Sequence, residues 1–116
     1  GRDGRRVAMT VERRTRKLLE WGEERFSRGD LRGAVLLFER VLELDEANSG
    51  ALNDLGAVRW QQGDPVAAMK IFRDALRVDP EDPNALENLG RAAESTGRLD
   101  LVGPELLEKL RHARKD

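Results

Sequence analysis

The sequence realigns with itself, without a gap, when it is shifted by 34 residues. The units that result are 15–48, 49–82 and 83–116. Leu18, Leu52 and Leu86 fall in register, as do Trp21, Leu55 and Leu89. Gly22, Gly56 and Gly90 follow directly, and Gly29, Gly63 and Gly97 come seven residues later. The second halves agree through Ala34, Ala68 and Val102, then Phe38, Phe72 and Leu106, then Leu42, Leu76 and Leu110. A fixed period of this length describes a stack of small units in which no unit buries its apolar face alone.

Each unit reads as two helices. Leu52, Leu55, Val58 and Gln62 advance by three or four, the spacing of one helix face. Ala68, Ile71, Phe72, Ala75 and Leu76 do the same for the second half. Gly63 ends the first helix, because the left-handed conformation at a helix C-terminus suits glycine. Asp64-Pro65 starts the next, an N-terminal carboxylate cap followed by proline in the first turn. Asp82-Pro83 repeats that signal. Gly56 falls in mid-helix, where it costs roughly 1 kcal/mol against alanine. Its recurrence in all three units predicts a paired helix passing too close for a side chain.

Both ends depart from the pattern. Residues 1–14 lie outside the repeat and form a basic arm, with Arg2, Arg5, Arg6, Arg13 and Arg14 against Asp3 and Glu12. Thr10 reads as a cap for a helix beginning at Val11, which extends the first repeat helix. Residues 1–8 read as disordered or foreign to the native chain, with Met9 as a native start or the whole chain as part of a longer protein. In the third unit Gly103-Pro104 falls where the second helix would run, and proline inside a helix costs ~3 kcal/mol. A delayed helix from Pro104 to about Arg114 avoids that cost. It buries Leu106, Leu107 and Leu110, turns Glu108, Lys109 and Arg111 outward, and caps the stack.

Composition excludes more than it selects. Lys and Arg total 21 against 22 Asp and Glu, so no net charge favours nucleic acid. There is no cysteine, hence no disulfide or thiolate metal site. No apolar run approaches the ~18 residues of a membrane span. His112 is the sole histidine and reads as a solvated helix-end residue, favourable near a C-terminus. Carboxylate pairs such as Glu23-Glu24 read as solvated faces. The glycines are spaced for helix ends, not for a phosphate loop. Catalytic, cofactor and metal sites are therefore expected to be absent.

The period and its residues resemble the tetratricopeptide repeat family, of bacterial type, over about 100 of the 116 residues. The resemblance implies an all-α, right-handed superhelix of three antiparallel helix hairpins, with a concave groove lined by the first helix of each unit. The matching positions are Arg16, Leu19, Glu23 and Phe26 in the first unit. In the second they are Asn53, Asp54, Ala57 and Trp60, and in the third Asn84, Glu87, Asn88 and Arg91. Phe26 and Trp60 are either groove anchors or core side chains. The subtype that clamps acidic chaperone tails with paired cations is not expected, since Leu19, Glu23, Asp54, Asn84 and Asn88 stand at its clamp positions.

A chain of this kind is expected to be a scaffold or adaptor, binding a peptide or helix of a partner protein in the groove, in the cytoplasm and without catalysis. Nucleic acid and integral membrane contact are not expected. Two other functions stand beside it: self-assembly into homo-oligomers, and service as an accessory domain of a larger bacterial enzyme such as a glycosyltransferase.

Overall fold

The computed structural model describes the backbone of residues 2–115 and the side chains of residues 10–113. It consists of α1 (Arg2–Ser27), α2 (Leu31–Leu44), α3 (Ser49–Gln61), α4 (Pro65–Val78), α5 (Pro83–Thr96), a 3-10 turn (Leu99–Leu101) and α6 (Pro104–Lys115). Among the described residues there is no strand, and no helix is long and apolar enough to cross a membrane. The fold is an all-α solenoid in which α1 packs on α2 and α3 on α4, while α3 and α5 each also lie against the hairpin before them.

Local chemistry sets the helix ends. Asp30 Oδ1 accepts from the Gly33 amide at 3.0 Å, Asn48 Oδ1 from Ala51 at 2.9 Å, and Asp64 Oδ1 from Ala67 at 3.1 Å. Each satisfies one of the amides that a helix start leaves without a partner. Gly63 turns the chain at φ +84°, a conformation costly for any residue with a Cβ. Gly56 lies buried under Phe72, and a Cβ there would overlap the ring; Gly22 meets Phe38 in the same way. The mid-helix glycine is thus the contact point of each of the first two hairpins. In the third, Gly90 faces only Leu110 Cδ2 at 3.1 Å from a Cβ position, because α6 starts late.

Two apolar clusters hold the stack. Ala34, Phe38, Leu55 and Val58 join the first hairpin to α3. Met69, Phe72, Leu76, Leu89 and Val102 are among the residues that join the second hairpin to the third. Fully burying a side chain such as Phe38 contributes about 1.5–3 kcal/mol.

Several expectations are corrected. The helix start expected at Val11 is absent, since α1 is continuous from Arg2 and also takes in most of the segment expected to be disordered. Gly1 and the side chains of residues 1–9, including Arg2, Arg5 and Arg6, lie outside the described residues. Lys109 does not point freely outward: it is half-buried and its Nζ donates to Glu81 Oε1 at 3.0 Å and to the Pro80 carbonyl. The delayed α6 brings it over the turn that precedes α5. Trp21, in register with core residues, is exposed, because no described helix covers that face of α1.

Candidate functional site

The stripe residues of α1, α3 and α5 meet in pairs across successive hairpins. Leu19 Cδ2 lies 3.6 Å from where a Cβ on Gly50 would stand. Glu23 on α1 meets Asp54 on α3. Asn88 Nδ2 on α5 donates to Asn53 Oδ1 on α3 at 2.9 Å. Helical periodicity produces these pairs: a position on one helix faces positions 31 or 35 further along, one repeat less about one turn or plus a single residue.

Glu23 and Asp54 are the chemically distinctive pair. Burial, and then the hydrogen bond to Glu23 and its negative charge, push Asp54 up to about 8. Contact with a second acid and partial burial both favour the protonated form of Asp54. Glu23 is exposed and Asp54 half-buried. Neither forms an ion pair with a described residue. A lysine, arginine or amine placed there would displace the proton and be met by two carboxylates.

The other expected site residues divide by environment. Leu19 and Phe26 are half-buried and pack on the first cluster, and Trp60 packs on the second. Both aromatics therefore contribute to the core while keeping part of their surface outside it. Asn53, Ala57 and Asn88 are half-buried, and Arg16, Asn84, Glu87 and Arg91 are exposed. Arg91 pairs with Glu87 at 2.9 Å along its own helix, an exposed pair that contributes little. Among the described residues no group of three or more His, Cys, Asp or Glu gathers to hold a metal ion. A further cleft of about 590 Å³ lies away from the groove, between α4 and α6, where the late start at Pro104 leaves space. Its cations are engaged: Arg77 with Asp74, Lys109 with Glu81, and Arg73 Nη1 with the Leu101 carbonyl at 2.9 Å. No local motif in the sequence marks the Glu23–Asp54 contact; its signal is the 31-residue separation, about one turn short of the repeat.

Residues 49–92 match the family model described as tetratricopeptide repeat. No curated protein sequence matches the chain. Among solved structures it is similar to MamA, with 19% identity, a TM-score of 0.74 and coverage of 87% of this chain and 57% of that one. It is similar to the Yersinia enterocolitica type III secretion chaperone SycD in complex with a peptide of the translocator YopD, with 20% identity, a TM-score of 0.68 and coverage of 74% and 66%. It is also similar to a Thermobaculum terrenum O-GlcNAc transferase mutant, with 25% identity, a TM-score of 0.75 and coverage of 91% of this chain but 20% of that one. The chain thus spans less than two thirds of the length of each of these structures.

Proposed function

We infer, on the premise that this chain is built of tetratricopeptide repeats, that its concave groove holds a segment of a partner protein and that Glu23 and Asp54 receive a basic group of that segment. The observation that carries this is the half-buried Asp54 beside Glu23, two carboxyls in contact with no cation of their own among the described residues. Around them Leu19, Phe26 and Trp60 offer apolar surface that the core only partly covers. Apolar anchors with one placed charge are what a peptide site needs for affinity and register. The groove chemistry suits a basic segment and opposes an acidic one. Likeness in fold to a chaperone crystallised with a peptide supports the general function and leaves the ligand to this chain's own residues.

The test is binding of labelled synthetic peptides, about twelve residues long, matched in apolar content and carrying net positive, zero or negative charge. Positive peptides are expected to bind, and Asp54→Ala to weaken them at least tenfold, the scale of one interface hot spot. Substitution of Lys70 and Arg77 on the outer face of α4 serves as the control. Arg73 is unsuitable for that purpose because it holds Leu101. Preferential binding of negative peptides, unaffected at Asp54, would overturn the assignment.

A second function, as an accessory array attached to a larger enzyme, draws support from the likeness to the O-GlcNAc transferase. The full reading frame of the parent gene decides it. A cytoplasmic location belongs to the proposal in either case.

A further inference from the structure

Trp21 is large, apolar and 61% exposed, and the groove does not use it. Its counterparts one and two repeats later, Leu55 and Leu89, are 8% and 0% exposed. The whole face follows the same rule. Ala51, Leu55 and Val58 on α3 are buried against the hairpin before them, as are Ala85, Leu89 and Ala92 on α5. The matching residues on α1 are Lys17, Trp21 and Glu24, and all are exposed. Alanine and valine admit a helix at close range. Lys17 and Glu24 under such a helix would be stranded charges. The α1 face is therefore not shaped for another hairpin of the kind that covers α3 and α5. A central aromatic with charged neighbours has instead the anatomy of a protein interface.

Its pattern states what fits. Thr10, Arg14, Lys17, Trp21, Glu24 and Arg28 succeed one another at spacings of four and three, and all are exposed. That alternation is the seam of two paired helices. The cations Arg14 and Lys17 lie toward its start, and Trp21 and Glu24 toward its end. Two copies laid antiparallel about a twofold axis between residues 17 and 21 set Arg14 against Glu24 and Lys17 against Trp21, each contact made twice. A parallel pairing sets like against like. Glu24 already contacts Arg28 of its own helix at 2.8 Å, in the open, and a carboxylate accepts a second cation. Leu18 flanks the axis on one side. Glu20 meets its own copy on the other, the unfavourable pair of the arrangement.

We propose that the outer face of α1 is a self-association surface, pairing antiparallel with the same face of a second copy of this chain through Trp21 and the Arg14–Glu24 charges. The seam from Thr10 to Arg28 is about 27 Å long at ~1.5 Å per residue, a small interface, so association is weak and concentration-dependent. The groove lies on another face of α1, so this association and peptide binding are separable.

The test is sedimentation of the full chain across micromolar to sub-millimolar concentrations. A monomer–dimer equilibrium is expected. Arg14→Glu alone and Glu24→Arg alone should each weaken it at least tenfold while leaving the helical melting curve in place. An equimolar mixture of the two variants should dimerise again, because both ion pairs then form, one in reversed polarity and one as in the unaltered chain. Trp21→Ala should weaken the dimer at least tenfold, and Glu20→Gln should strengthen it. A wild-type chain monomeric throughout, charge variants that dimerise like wild type, or a mixture that stays monomeric would each overturn the proposal. Asp54→Ala should leave sedimentation unchanged, which keeps this result apart from that of the groove.

Discussion

Asp54 and Asn88 occupy the same register position in successive repeats, yet they solve the same junction in opposite ways. Asn88 spans from α5 to α3 and finds Asn53, an amide donor meeting an amide acceptor at 2.9 Å. That junction is closed within the chain. Asp54 spans from α3 to α1 and finds Glu23, a second acid. Two acceptors can bond only by retaining a proton, so this junction holds an electrostatic demand that its own residues do not meet. Repeats of one backbone geometry thus differ by side chain: the α3–α5 junction is closed by an amide pair, and the α1–α3 junction is the one proposed above to receive a cation.

The largest expected effect breaks the frame common to both junctions. Gly56→Leu drives a side chain into the Phe72 ring, and overpacking of this kind costs about 1–3 kcal/mol. A clear fall in melting temperature by circular dichroism is expected, and an unchanged melt would mean that α3 and α4 are not in contact there. Next comes pH. Asp54 stands at about 8 in the folded chain against an ordinary 3.8, so its proton is held by the folded state and already released by the unfolded one in between. Stability should therefore be full below about pH 4 and fall as pH rises toward 8, by about 1–2 kcal/mol after allowing for solvent screening. Asp54→Asn should flatten that dependence in urea titrations at several pH values, whereas Asn88→Ala should leave it intact. The smallest effect belongs to the closed junction: Asn88→Ala removes one hydrogen bond and should cost about 0.5–1.5 kcal/mol, with no loss of basic-peptide binding.

The hairpins, their glycine ends and their Asp-Pro starts were legible in the sequence because each is set by residues within a turn of one another. The close approach at Gly56 was legible as well, since a recurring mid-helix glycine has few other causes. The partners of Glu23 and Lys109 were not. Glu23 read as a solvated residue beside Glu24, and its contact with Asp54 depends on how two hairpins are rotated. Lys109 follows the position of a helix whose start is displaced by Gly103 and Pro104. Trp21 shows a further limit of periodicity. Its register is that of a core residue, but a repeat pattern does not say which units have a neighbour. The sequence does not divide Phe26 and Trp60 between groove and core; both are half-buried and pack against the core clusters.

The central claim is that Asp54 and Glu23 hold a proton in the groove until a cation arrives. Carbon-detected NMR of the side-chain carboxyls across pH 3–10 measures this directly, first on the free chain and then with the positively charged synthetic peptide. Asp54 is expected to titrate near 8 when free and to move well down in the presence of the peptide, as an opposite charge stabilises the ionised form. An Asp54 that titrates near its ordinary 3.8 and does not move with peptide would contradict the account.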